Sequence, residues 1–414
     1  MAATNTLLTI NMITAKAMAI LHQKCNIIGA VNRQYDDSFA NSGAKIGSTL
    51  RIRVPVQYVV SKTPPLSLQN TVETYVSLPI TNQYHADWSF SSNELTLSID
   101  EFSTRYIEPA IAVLAAQIEA DFVAQMWPTV WNMVGVAGSP QVFKTVLQAR
   151  KLLLDNLTPQ SKQWLLRINT QDNVDLVDAL KGLFQQSTQI ARQYTDGVMG
   201  ISGGFEWAEN THLTTQTRGT ANTAYTTALV VSTSSTGQTT GNTLAVTAGA
   251  NGMNVGDVFT IAGVYRVHPE TKFNTGILQQ FVVTAAYAGG PGNVSIAPGI
   301  NGVGLASLAV PAVNPQQNVV IPTLTGAGAI TFMGTAGASS GLSLAFHPDA
   351  FTFASADLVM PGGVDMASRV VKDGISMRAV RQYSISDDTF PIRIDVLWGA
   401  AALRPQLACR LVAN

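Results

Sequence analysis

The sequence predicts an α+β fold in which an all-β, barrel-like domain is inserted into a discontinuous host. Three observations predict it. An early stretch alternates apolar and polar residues at the two-residue period of a strand, and helices with a 3.6-residue apolar period follow it. Near Thr214 that helical period stops, and a run dominated by Thr, Gly, Ala, Val and Asn continues to about Gly341. After Leu342 the mixed α/β character resumes, so the almost uncharged middle reads as an insertion. At 414 residues the chain can hold two or three compact domains.

Each element follows from local pattern. Residues 6–28 read as a short amphipathic helix, with Leu8, Met12, Ala15 and Ala19 roughly in helical step. Thr49 to Val60 alternates, placing Leu50, Ile52, Val54, Val56 and Tyr58 on one side and Arg51, Arg53 and Gln57 on the other. A polar tip with Pro64 and Pro65 follows, and Val72 to Phe90 returns as the second strand of an arm. Such a two-stranded arm is marginal in water on its own and makes sense lying across a neighbouring subunit. Ser98 with Glu101 fits a capping box. Pro109 suits the first turn of a helix whose buried stripe is Ile111, Leu114, Ala115, Ile118, Phe122 and Met126. Ser139-Pro140 marks the start of another helix, running to about Leu154 with Val142, Val146, Leu147 and Leu153 inward. Trp164 to Ile168 reads as a buried strand and Asn173 to Gln186 as a helix. In the insertion, Thr226–Val231, Thr243–Thr247, Val258–Ile261, Gln280–Ala285 and Val294–Ala297 alternate between Gly- and Pro-containing turns, the pattern of a small barrel or sandwich. Later runs at 345–353, 357–360, 380–386 and 390–398 belong to the host.

Composition narrows the function. Charged residues are only 12 % of the chain, against roughly 25 % in ordinary soluble domains, while the apolar share is 46 %. Surface with so little charge suits being covered, which points to assembly; a β-rich adhesive domain shares the style. Net charge is −1 without a Lys or Arg block, so sequence-specific nucleic-acid binding is not expected. Cys25 and Cys409 lie at opposite ends and make no disulfide framework. No secretory leader is evident, and Glu119 and Asp121 interrupt the most apolar helix, so no membrane span is expected.

Chemistry-bearing motifs are few. Gly43 to Thr49 lacks the Gly-Lys-Ser/Thr ending of a phosphate loop and reads as a turn before a strand. The five histidines show no pair at metal-ligand spacing and no neighbouring cysteine. The acidic pairs Asp36-Asp37 and Asp387-Asp388 read as solvated loops, and Asp100-Glu101 as capping. Neither a nucleophile elbow nor a His-Glu-x-x-His helix is present. No catalytic residue, cofactor or metal is expected.

Three segments carry a family likeness. The run Arg105 to Glu119, following an extended arm, resembles the spine helix after the extended loop of tailed-phage coat proteins. Gly200 to Asn210, with Phe205-Glu206, resembles a segment these proteins carry late in their first half. Gly252-Met253 with Gly256-Asp257, Ile261, Gly263 and Val264, followed by Leu278-Gln279 and Phe281, resembles the insertion domain of the short-tailed (podovirus) type. The resemblance implies the major-capsid fold shared by tailed phages and herpesvirus capsid floors. Its parts would be an N-terminal arm (1–40), an extended β-loop (41–98), a peripheral and axial core (99–214 and 341–414) and a β-rich insertion domain (215–340).

The same resemblance implies function and partners. It implies a major capsid protein that self-assembles through pentamers and hexamers into an icosahedral head enclosing double-stranded DNA without sequence-specific binding. A separately encoded scaffolding protein, a portal protein and in some cases a decoration protein would join it, in a bacterial host cytoplasm. Candidate subunit-interface residues are Arg51, Arg53, Lys62, Glu101 and Arg105. The insertion-domain signature is Gly252, Met253, Gly256, Asp257 and Gly263. Two departures bear on this. Ser232 to Thr243, where relatives carry a charged loop at two-fold axes, is short and uncharged. Lys62 sits at the loop tip where some capsids of this fold cross-link to a neighbour's asparagine, chemistry that insertion-domain relatives do without. Two alternatives compete: an encapsulin-like nanocompartment shell, which the insertion disfavours, and a β-rich tail or adhesion protein, which leaves the spine helix unexplained.

Overall fold

In the computed structural model of the chain, residues 26–33, 49–58, 60, 68, 73–91, 108–180, 200–213, 215–222, 225–227, 239–304, 317–321, 328–372 and 375–413 are described. Three α-helices occur among them: α1 (Glu108–Met126), α2 (Phe143–Asp155) and α3 (Thr170–Leu180). In chain order the strands are β1 (Thr49–Val54), β2 (Thr74–Pro79), β3 (Asn82–Ser91), β4 (Met133–Gly135), β5 (Trp164–Ile168), β6 (Ile201–Ser202), β7 (Phe205–Glu209), β8 (Thr215–Thr217), β9 (Thr226–Thr227), β10 (Thr239–Ala248), β11 (Val258–Val267), β12 (Asn274–Val283), β13 (Gly292–Gly304), β14 (Val319–Ile321), β15 (Gly328–Phe332), β16 (Ser339–Phe346), β17 (Phe351–Ala356), β18 (Met366–Lys372), β19 (Ile375–Arg381), β20 (Thr389–Ala402) and β21 (Ala408–Val412). The chain divides into two compact units, one of Met1–Ile52, Tyr75–Val123 and Phe351–Leu403, the other of Arg53–Thr74, Ala124–Ala350 and Arg404–Asn414.

The first unit is built on a five-stranded sheet in the order β17-β20-β19-β18, with β3 paired to β20. The expected α1 stripe is buried throughout. Phe122 meets Phe353 edge-on at 6.1 Å, and Phe353 stacks on Trp398 at 5.6 Å. The run Val72 to Phe90 is not one returning strand. It breaks after Pro79, which has no N–H to continue a ladder; β2 pairs with β1, while β3 pairs along its whole length with β20. The crossing is close: a Cβ at Gly399 would sit 2.0 Å from the Pro79 carbonyl oxygen. Likewise β1 stops at Val54, before Pro55. Ile52, Leu78 and Ile80 are buried against Ala354, Ala356 and Ala401.

Of the helix expected over residues 6–28, all but the last residues lie outside the described chain. Ile28–Ala30 forms a 3₁₀ turn instead. The buried Glu119 carboxylate on α1 accepts the amides of Asn26 at 2.7 Å and Ile27 at 3.2 Å, satisfying donors that a helical start leaves orphaned. The capping box at Ser98 and Glu101 lies outside the described residues.

The second unit contains a mixed sheet in the order β4-β21-β16-β5-β7-β6, with β8 on β16. Helix α2 lays Val146, Ala149 and Leu153 on it, beside Leu166, Phe205 and Leu411. The helix begins at Phe143, after an extended Val142 without a side-chain cap, and not at Ser139. Val142 and Leu147 are each 44 % exposed, against expectation. Steps of three and four residues join the buried positions, and Leu147 lies one residue, about 100°, off that line. Helix α3 starts at Thr170, and the part of the expected helix beyond Leu180 lies outside the described residues.

The middle of the chain closes into a barrel. Its strands run β10-β9-β15-β11-β12-β13-β14, and β10–β13 and β11–β14 pairings complete the circuit. The alternating runs put Leu244, Val246, Phe259, Phe281, Val294 and Ile296 inside. Phe259 packs on Phe281 at 5.8 Å and on Phe332 at 5.7 Å.

Candidate assembly surfaces

The two-stranded β1–β2 sheet carries the first candidates on its polar side. Arg51 lies 5.0 Å above the Tyr75 ring, a cation–π contact across the ribbon. Arg53 reaches Glu73 at 3.6 Å, with both side chains largely exposed. Beyond β1 the chain presents apolar groups to solvent: Tyr58 is 62 %, Val60 84 % and Leu68 87 % exposed. Lys62, Glu101 and Arg105 lie outside the described residues. Of the five candidates, Arg51 and Arg53 are the two among the described residues, and they share strand β1.

A groove of about 610 Å³ opens between the start of β3 and the first turns of α1. Tyr84, Ala86, Pro109, Val113 and Leu114 line it together with the polar Gln83, His85 and Gln117. Val113 is 71 % exposed there. The Tyr84 hydroxyl donates to Asp121 at 2.7 Å, and burial, reinforced by that carboxylate, pushes the phenol up to about 12.

Of the five residues of the glycine-rich signature, Gly252, Met253, Gly256 and Asp257 lie in the turn that leads into β11. Met253 is buried, and its N–H and carbonyl pair with Tyr287. A Cβ at Gly252 would lie 2.9 Å from the Tyr287 carbonyl oxygen. Gly256 has φ +92°, and a Cβ there would strike the Trp127 ring at 2.4 Å, so both backbone and space require glycine. Asp257 is buried and accepts amides from Gly219 (3.0 Å) and Asn254 (2.9 Å). Burial holds its carboxyl above the ordinary range, while those amides, Arg218 and Arg410 pull it down. Gly263, at φ +82°, lies apart on β11, where the ladder to β12 shifts register.

Three residues of this cluster went unremarked in the sequence. Arg410 Nη1 donates to the Gly256 carbonyl at 2.8 Å and to Gln216 Oε1 at 2.9 Å. Its guanidinium lies 5.4 Å over Trp127. No local signal marks them, because the partners come from distant parts of the chain. Among the described residues, no group of three or more His, Cys, Asp or Glu could hold a metal ion.

Residues 1–411 match the family model of the P22 coat protein, gene protein 5. The chain belongs to the P22 coat protein family. It is thus a major capsid protein of bacteriophage type, a structural subunit of a virion capsid that assembles from copies of itself. Comparison with curated proteins found no match. Among solved structures, the coat protein is similar to a chain of Mycobacterium phage Che8 at 12 % identity and TM-score 0.48, covering 94 % of this chain and 90 % of that one. It is similar to the capsid of Ralstonia phage GP4 at 7 % identity and TM-score 0.45, covering 94 % and 92 %. A third similar chain comes from the satellite phage P4 procapsid including size determination (Sid) protein, at 7 % identity and TM-score 0.41, covering 100 % and 92 %. Membership of the family rests on the match over residues 1–411 and not on these likenesses.

Proposed function

We propose that this coat protein forms pentamers and hexamers that close into an icosahedral procapsid on a separately encoded scaffolding protein, in the bacterial cytoplasm. A portal protein occupies one vertex, a decoration protein binds outside in some assemblies, and double-stranded DNA is held by confinement. In this reading residues 1–40 are an N-terminal arm, 41–98 an extended β-loop, 99–214 and 341–414 the core, and 215–340 the insertion domain. The observation that carries it is the exposure that follows β1: Tyr58, Val60 and Leu68 each stand open to solvent, apolar area that a lone subunit gains nothing by displaying. Covering it with a neighbour removes that area from water, and Arg51 and Arg53 supply charge-assisted contacts. Net charge of −1 suits an inner wall without specific DNA contacts.

Negative-stain electron microscopy of the protein expressed with and without its neighbouring genes tests the proposal. Uniform closed shells that require or improve with a small helical co-expressed protein are expected. A persistent soluble monomer in every condition overturns it.

A further inference from the structure

Two helices packed on one face of the second unit's mixed sheet point opposite charge away from it. Trp164, Leu166, Ala345 and Leu411 belong to that face, and α2 covers it through Val146, Ala149 and Leu153 while α3 does so through Leu176. The helices are neighbours, because the Gln141 N–H just before α2 donates to the Asp175 carboxylate of α3 at 3.1 Å. On the side turned from the sheet, α2 exposes Lys144, Leu147, Lys151 and Leu154, spaced so that they form one stripe. Helix α3 exposes Gln171, Val174 and Asp178 at the same spacing, with Asp175 half-buried alongside. The other charges of α2 are engaged within the subunit: Asp155 accepts from Arg266 at 2.9 Å, and Arg150 donates to the Gly203 carbonyl at 3.4 Å. Among the described residues, neither Lys144 nor Lys151 has an ion-pair partner.

Both stripes interleave charge with bare apolar groups, Leu147 and Leu154 on one and Val174, 61 % exposed, on the other. Apolar area of this kind marks a contact surface, and the charges indicate what covers it. Only 12 % of the chain is charged, so like charges gathered on one stripe set it apart from the rest of the surface. A phosphate backbone drawn to the lysines would meet the carboxylates of the adjoining helix. A second copy offers each stripe its opposite. Because the two stripes are different surfaces, that contact repeats head to tail, the arrangement that closes rings. We propose that α2 of one subunit seats on α3 of the next within a capsomer, lysines against carboxylates and leucines against Val174. The proposal rests on the pentamer-and-hexamer reading.

The test exchanges the signs of the stripes in the full chain, expressed with its neighbouring genes. Lys144→Glu with Lys151→Glu makes both stripes acidic, and Gln171→Lys with Asp178→Lys makes both basic. A chain carrying all four substitutions restores opposite signs with the order reversed. The four side chains are exposed, so the soluble subunits should keep the wild-type urea midpoint. Each paired variant is expected at under about a tenth of the wild-type shell yield, and the fourfold variant at no less than about half of it. Wild-type yield from either paired variant overturns the proposal. In particular, loss with the lysine variant alone would mark a polyanion as the occupant in place of a second copy. A fourfold variant that assembles no better than the paired ones also overturns it. Where a paired variant loses shells by unfolding, the fourfold chain must still assemble, and its failure counts against the contact. Absence of wild-type shells would instead sink the capsomer reading itself, a result separable from any pattern among the variants.

Discussion

Lys272 gives the sharpest quantitative prediction. It is 6 % exposed, in the turn between β11 and β12. Its ammonium donates to Gln57 Oε1 and the Gln317 carbonyl, both at 3.1 Å. Both acceptors are neutral, so desolvation goes uncompensated and lowers the amine from 10.5 to about 8. At about 1.4 kcal/mol per pH unit, the charged form is disfavoured in the fold by roughly 3 kcal/mol. The sign follows from proton counting. Below pH 8 folded and unfolded chains are both protonated and the full penalty applies. Between about pH 8 and 10.5 the unfolded chain holds a proton that the folded chain has released, so stability rises with pH, and it levels off above. Lys272→Met removes the penalty but strands the Gln317 carbonyl, which costs about 1–3 kcal/mol. At pH 7 the variant should be between unchanged and about 2 kcal/mol more stable. The assay is denaturant unfolding of the soluble subunit at pH 7, 8, 9 and 10, reported as variant minus wild type so that other titrations cancel. That difference should fall by at least 2 kcal/mol across the range, as expected from the linkage; a flat difference refutes the reasoning.

Four further outcomes follow from other sites. Gly256→Ala should destabilise the subunit by more than about 3 kcal/mol, since a left-handed backbone and the Trp127 ring both resist the methyl; a loss under about 1 kcal/mol in urea melts would contradict the geometry. His347 is fully buried, its Nδ1 accepts the Asp349 amide and its Nε2 has no partner among the described residues. Burial lowers it below 6.5, so stability should fall as pH drops under 6.5, and His347→Gln should lose that acid limb in a pH series. Asp395→Asn breaks the fork from Arg378, whose two bonds are 3.0 and 2.6 Å; thermal or chemical melts should register about 3–5 kcal/mol of lost stability. Arg51→Ala with Arg53→Ala should change unfolding by under about 1 kcal/mol, because both contacts are solvent-exposed, yet lower shell yield; unchanged yield would remove both arginines from the interface.

Much of the fold was legible where local periodicity and burial agree. The α1 stripe and the barrel strands fall in that class, because each buried face is set by residues three, four or two positions apart. Phase was harder. Leu147 is as apolar as Leu153, but only the sheet beneath α2 decides which side is covered. Strand β18 went unanticipated: it is an outer strand carrying Arg369 and Lys372, and alternation fades where neither face is deeply buried. The return strand misled because Thr74–Pro79 and Asn82–Ser91 are both strands while the pairing partner changes after Pro79. At the barrel base, glycine spacing drew attention to Gly252 and Gly256, but Arg410 meets Gly256 across 154 residues and Gln216 across 194. Contacts of that span leave no trace in a window of sequence.

The closed circuit of the barrel bears on life before assembly. A shell needs many subunits at once, so free copies accumulate at high concentration while awaiting a growing edge. An open sheet under those conditions offers unpaired amides and carbonyls to the next copy, the route to fibres and amorphous precipitate. By returning β10 to β13 and β11 to β14, the barrel removes most such edges from a long, sparsely charged stretch whose Lys272 is buried. Closure therefore acts as a solubility device, keeping waiting subunits available for the one association that ends in a particle.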